Sequence, residues 1–274
     1  MSSARWPAYF AIAGFIAVAL GVVQCLMTQR VSHQRVPEIL RAVLPTVLIQ
    51  ARADDAGDHA GNDAGDDAGY YHRLRARLHW VKARVGRDTM LTPDLGSRML
   101  LAKSAAQRAR LAEVGLNFED VYGLIHAETS WVPRLGSSRD GTPNLGIAQF
   151  EPATARALGV RNPDDAVEAV HAAALYMKEA ALWSNDRLRG LKLGKDERAV
   201  KLREGISIYY NLSTRARNGW NGMNTAQLPI ETRRHIVNAR LGAQEAAAFD
   251  AQLRASQYAR DPGVITASRG GHDS

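Results

Sequence analysis

In the stretch 117–130, Val121, Leu124 and Ile125 fall at i, i+3 and i+4 of a helical repeat, and Glu128 falls at i+7 on the same face. A carboxyl at that position is turned toward apolar neighbours rather than toward water. Desolvation disfavours a charged carboxylate, so a group in such a place tends to keep its proton near neutral pH. A glycosidic oxygen leaves poorly until it is protonated, and a partly sheltered carboxylic acid at a cleft edge supplies that proton. The same periodicity describes a buried glutamate satisfied by hydrogen bonds or a basic partner, so spacing alone leaves both readings open. The nearest loop carboxylate, Asp140, stands in a Gly-, Ser-, Pro- and Asp-rich segment over 133–144 and reads as a turn former.

Four short blocks in the chain bear on that choice. Glu128-Thr129-Ser130-Trp131 comes first. Gly146-Ile147-Ala148-Gln149 follows, with Pro152 and Thr154-Ala155 behind it. Tyr209-Tyr210-Asn211 is the third. Pro229-Ile230-Glu231-Thr232-Arg233, leading to His235, is the last. In this order and with these gaps the chain resembles the soluble lytic transglycosylase family, which shares its fold with goose-type lysozymes. The resemblance covers roughly 117–241, under half of the 274 residues. Each block alone is weak, and the ordered set carries the likeness.

The resemblance implies that Glu128 protonates the oxygen between N-acetylmuramic acid and N-acetylglucosamine in bacterial peptidoglycan. The same carboxylate then takes the proton of the muramic 6-hydroxyl, which leaves a 1,6-anhydro end. No second catalytic carboxylate is needed, because the substrate's own N-acetyl group can stabilise the cationic centre. Gln149 is expected to line the cleft and bind sugar amide or hydroxyl groups, Tyr210 to hydrogen-bond near the catalytic carboxyl, and Asn211 to hold substrate or backbone. Trp131 is available either to stack on a sugar face or to fill the core. Three departures stand out. Thr129 replaces the usual Ser and adds a methyl. Leu212-Ser213-Thr214 replaces a small Ala-Gly sequence. His235 replaces the usual Tyr; it can donate a hydrogen bond, and it can also carry charge that would perturb a nearby Glu128. Thr129 and His235 join Trp131, Gln149, Tyr210 and Asn211 as candidate substrate contacts. No cofactor and no metal is expected. Two other readings stay open: a muramidase that uses water, and a non-catalytic peptidoglycan-binding or assembly module.

The elements expected to hold these residues are helices, giving an all-α, lysozyme-like class with at most a small hairpin in 133–144. Asn117 suits an N-cap, with Asp120 three residues on. Pro93-Asp94 can open a helix reaching Leu111. Pro152 suits the first turn of a short helix closed by Gly159. Asp164 can cap an Ala-rich helix to about Trp183. Further helices are expected over 196–210, 231–241 and 243–258. Residues 70–87 are basic and aromatic, with Leu74, Leu78, Val81 and Val85 at helical spacing, so an amphipathic helix is expected there, docked on the domain or touching an anionic polymer or lipid.

The rest of the chain places this domain in a cell. Residues 8–27 are almost unbroken apolar, long enough at about 1.5 Å per residue for the ~30 Å core of a bilayer. They read as an uncleaved single-pass anchor over 1–30 or as a cleaved signal peptide with Ala17-Val18-Ala19 at its end. The anchor places the chain in the bacterial inner membrane with its domain in the periplasm, and cleavage exports it, although Arg30, Arg35 and Arg41 behind the span weakly favour the opposite orientation. A juxtamembrane segment over 31–53 follows. Residues 54–69 repeat Asp-Ala-Gly, carry no large apolar side chain and lack the alternating ligands of a calcium loop, so they read as a linker. The domain proper is expected over 70–260, and the tail 261–274 is expected to be disordered. Cys25, the one cysteine, excludes an intrachain disulfide and reads as a small hydrophobe in the apolar run. The net charge of +7 favours anionic partners. Peptidoglycan strands, the inner membrane and a secretion or envelope-spanning complex are the expected ones; nucleic acid is not.

Overall fold

The computed structural model describes residues 64–138 and 140–260. In chain order these form α1 (Ala64–Ala76), a hairpin of β1 (Trp80–Val85) and β2 (Asp88–Pro93), α2 (Leu95–Arg108), a 3₁₀ turn (Leu111–Val114) and α3 (Phe118–Thr129). A two-residue ladder of β3 (Gly136–Ser137) and β4 (Pro143–Asn144) comes next, then α4 (Pro152–Ala157), α5 (Ala166–Leu188), α6 (Lys195–Asn211), α7 (Thr214–Arg217), a 3₁₀ turn (Thr225–Gln227) and α8 (Ile230–Arg260). The class is therefore mostly helical. Among the described residues no helix is long and apolar enough to cross a membrane. The apolar run 8–27, Cys25, the juxtamembrane segment 31–53 and the tail 261–274 lie outside the described residues.

Local chemistry sets the helix starts. Asn117 caps α3: its Oδ1 accepts from the backbone of Glu119 and Asp120, while Asp120 reaches back to the Asn117 N–H, a reciprocal capping box. Asp94 caps α2 through Ser97 N at 2.7 Å. The cap of α5 is Asp165 rather than Asp164, and that helix runs on to Leu188, five residues past the expected end. Pro152 opens α4, and Gly159, at φ 73°, follows its end.

Two expectations about the elements fail. Residues 70–87 are not one helix. α1 ends at Ala76, and Trp80–Val85 pairs antiparallel with Asp88–Pro93 in the register Trp80↔Pro93 to Val85↔Asp88. Val81, Ala83 and Val85 alternate with Lys82 and Arg84, a period of two hidden inside the apparent period of 3.6, and Gly86 at φ 61° makes the turn. α1 itself begins at Ala64, so the last six residues read as linker are helical. It docks through buried Leu74, Tyr70 on Ser104 and Arg75 on Asp165 and Glu168.

The helices expected over 231–241 and 243–258 are one helix, α8. Gly242 does not break it. It lies where α8 crosses α3, and a Cβ there would stand 3.0 Å from the Cα of Gly123 and 2.5 Å from the Cβ of His126. Lack of a side chain on both helices lets the backbones approach this closely. The core built around α3 comprises Leu101, Val121, Leu124, Ile125, Val167 and Ala173, all under 3% exposed.

α8 is also fastened to α2. Asp250 is buried and accepts from Lys103 at 2.7 Å and Arg254 at 2.6 Å. Burial by itself would raise its carboxyl, but the bonds from Lys103 and Arg254 outweigh it and hold the group below the usual carboxylate range. A lowered carboxylate contributes stability above its unfolded value, near pH 4, and that contribution is lost as pH falls through the folded value. Asp250→Asn is therefore expected to cost about 1–2 kcal/mol in urea unfolding at pH 7 and much less at pH 3. A difference that does not shrink with acid would contradict the assignment.

Candidate active site

Glu128 is the penultimate residue of α3, and its side chain is 14% exposed. The apolar stripe expected from spacing carries it there: Val121, Leu124 and Ile125 are buried, and the carboxyl emerges at the end of their row. After Thr129 the chain turns sharply. Ser130 and Trp131 both adopt the left-handed region, at φ 52° and 67°, and Gln149 does so at 52°. Three of the four non-glycine residues with positive φ among the described residues thus sit in the two loops beside Glu128. Backbone in this region costs roughly 1–3 kcal/mol for bulky residues and persists only where packing enforces it. Here Trp131 is fully buried against Tyr122, and its carbonyl accepts from Thr92 Oγ1 at 2.6 Å.

Four hydrogen bonds join the four sequence blocks around this carboxyl. Thr129 Oγ1 donates to Ile147 O at 2.8 Å. Tyr210 Oη donates to Ala148 O at 2.9 Å. Thr232 Oγ1 and Asn211 Oδ1 meet at 2.8 Å. His235 Nε2 meets Glu128 Oε1 at 2.7 Å. The end of α3, the loop 145–150, the end of α6 and the start of α8 thus close a ring. Gly146, at φ 68°, lets that loop pass Pro163, whose carbonyl oxygen would lie 1.9 Å from a Cβ there.

Several expected roles change in this setting. Trp131 is a core aromatic, not a sugar platform, because no face of it reaches solvent. Thr129 is buried and fastens the loop through its hydroxyl, which donates to Ile147 O. Gln149 Nε2 donates to Arg134 O and Gly146 O, both at 2.8 Å, and so pins the loop. Asn211 is exposed, with its oxygen engaged by Thr232. His235 is buried, and its Nε2 stands against Glu128 Oε1. Asp140 is a turn former: Thr142 N donates to its Oδ1 at 3.0 Å and holds its carboxyl below the usual range.

Sequence reasoning missed Arg134, whose guanidinium donates to Glu128 O at 2.8 Å, and Thr92, and it gave Thr232 no role within its block. Nothing in the local sequence marks Arg134 or Thr92, since each acts on a backbone carbonyl.

The electrostatics follow from burial. Tyr210 is pushed well above the ordinary tyrosine value, first by desolvation and then by the negative charge of Glu128. It is therefore a neutral donor at physiological pH, and its ring lies stacked at 6.5 Å on that of His235. His235 Nδ1 is buried without a partner among the described residues. An N–H there would be an orphan donor, at a cost of roughly 1–3 kcal/mol. The tautomer that avoids this cost donates from Nε2 to Glu128 Oε1. Glu128 Oε2 takes no hydrogen bond from any described side chain. A proton placed on the carboxyl goes there, with Oε1 still held by His235. Chemically, that is a carboxyl with one oxygen clamped and the other without a side-chain partner among the described residues. Among the described residues no group of side chains could hold a metal ion.

Comparison with protein-family models, curated proteins and solved structures finds no match for this chain.

Proposed function

We propose that the domain is a peptidoglycan lytic transglycosylase of lysozyme-like type, with Glu128 as general acid and then general base. The observation that carries this is the ring of hydrogen bonds that brings the four sequence blocks together around one partly sheltered carboxyl. Oε2 of Glu128 gives its proton to the glycosidic oxygen as the bond from muramic C1 breaks. The substrate's N-acetyl oxygen stabilises the cationic C1. The 6-hydroxyl then bonds to C1, and its proton returns to the carboxylate. His235 holds Oε1 throughout. An inner-membrane anchor and a periplasmic site complete the reading, and rest on the apolar run 8–27.

The test is incubation of the full chain with purified sacculi. Release of soluble muropeptides supports the reading, whereas binding without release favours the non-catalytic wall-binding module.

His235 gives a second, separable expectation. His235→Ala should lower kcat about 10- to 100-fold with KM little changed, because the carboxyl loses its orientation and not the substrate its contacts. His235→Gln, which restores an N–H donor, should recover part of that loss. A rise in KM with kcat unchanged would return His235 to the substrate contacts.

A further inference from the structure

The β1–β2 hairpin is the element that neither the sequence blocks nor the site absorbs. Its root is tied to the loop that follows Glu128. Thr92 Oγ1 donates to Trp131 O, Arg98 donates to Thr92 Oγ1 at 3.1 Å and to Pro93 O at 2.8 Å, and Arg134 of the same loop holds Glu128 O. From that root the hairpin projects outward. Trp80, Lys82 and Arg84 alternate along one face of β1, and Leu91 stands opposite Lys82 on that face. Trp80 is 42% exposed and Leu91 57%. Lys82, Arg84 and the turn residue Arg87 are exposed and form no ion pair among the described residues, with Asp88 the one acid in the hairpin.

We propose that this face is an outlying subsite for the peptidoglycan strand, with Trp80 against a sugar ring and Lys82, Arg84 and Arg87 against the carboxylates of the stem peptides. The inference rests on the reading of Glu128 for the identity of the polymer. Alternate residues on a strand lie roughly 7 Å apart, so the row presents an aromatic surface and then a line of cations along one strand face. A polymer of sugars bearing carboxylated peptides is complementary to it in both respects. An indole face binds the apolar face of a pyranose, and exposed cations gain from anions without a desolvated partner of their own. A bilayer fits less well. The apolar residues stand at the root and middle of the hairpin, while its tip is Gly86-Arg87-Asp88, the reverse of what insertion into lipid requires.

The experiment is co-sedimentation of the purified full chain with intact sacculi, with sacculi whose carboxylates have been converted to neutral amides by carbodiimide and methylamine, and with phosphatidylglycerol vesicles. Soluble muropeptides are read from the same tubes. Trp80→Ala should weaken binding to both kinds of sacculi about tenfold. Lys82→Ala/Arg84→Ala/Arg87→Ala should weaken binding to intact sacculi, abolish most of its salt dependence, and change binding to the amidated sacculi little. Both variants should melt with wild type, because the altered side chains are exposed. Variants that bind intact sacculi as tightly as wild type overturn the subsite. So do variants that lose only their affinity for vesicles, which would make the face a lipid contact. Wild-type cleavage with unaffected variants removes this inference alone. Hairpin-dependent binding without any cleavage keeps the subsite and removes the catalytic reading of Glu128.

Discussion

Glu128→Gln is expected to reduce release of muropeptides from sacculi by roughly 10³-fold, with the melting temperature little changed. The substitution is nearly isosteric. The amide oxygen can still accept from His235 Nε2 in the place of Oε1, so the clamp on that side survives. What is lost is the proton on the other oxygen. An amide cannot protonate the leaving oxygen, and it cannot take the proton of the 6-hydroxyl in the second half of the reaction, so both steps fail together. Ring closure around the site depends on Thr129, Tyr210, Asn211 and Thr232, none of which the change touches. Binding to sacculi should therefore persist while cutting stops. A variant that cuts at an appreciable fraction of the wild-type rate would mean that another group is the acid.

The second large effect is on stability. Gly123→Ala places a Cβ 2.2 Å from Ala239 O, 3.0 Å from Ala243 N and 3.2 Å from the carbonyl carbon of Ala239. All three are backbone atoms of α8, so no side chain can swing aside, and relief requires the two helices to part. Overpacking of a closely packed interior typically costs 1–3 kcal/mol, and rigid backbone neighbours put this site at about 3 kcal/mol. In a domain of this size that corresponds to a fall in melting temperature of roughly 6–12 °C. The same displacement acts on the site. Glu128 rides on α3 and His235 on α8, so separation of the helices lengthens the 2.7 Å contact between them. Activity measured below the melting transition should fall as well. Unchanged melting would show that the crossing relaxes more easily than its geometry implies.

These outcomes also indicate how far the sequence could be read. The α3 helix was legible because every signal agreed: Asn117 and Asp120 at the cap, and an apolar stripe that ends on the one carboxyl. Glu128, Tyr210 and His235 were legible by their blocks, and the structure brings all three together. The hairpin was not, because Val81 and Val85 satisfy both a helical and a strand period, and only the Gly86 turn distinguishes them. Gly242 read as a break because a glycine at a tight crossing and a glycine at a helix end look alike in sequence. The contacts that Thr129, Trp131 and Gln149 make were not legible, for one shared reason. Residue type reports what a side chain can bind, but its partner here is a backbone carbonyl or the core, fixed by a left-handed turn at 130–131 that no composition reveals.

The most direct test of the central claim is the product of digestion in ¹⁸O-labelled water. Sacculi are treated with the full chain, with Glu128→Gln in parallel, and the new glycan ends are identified by mass spectrometry. Internal attack by the 6-hydroxyl, with Glu128 supplying and recovering the proton, predicts 1,6-anhydromuramic ends free of the label, and none from the variant. Labelled reducing ends would assign the attack to water, and ends produced equally by wild type and variant would contradict the role of Glu128 altogether.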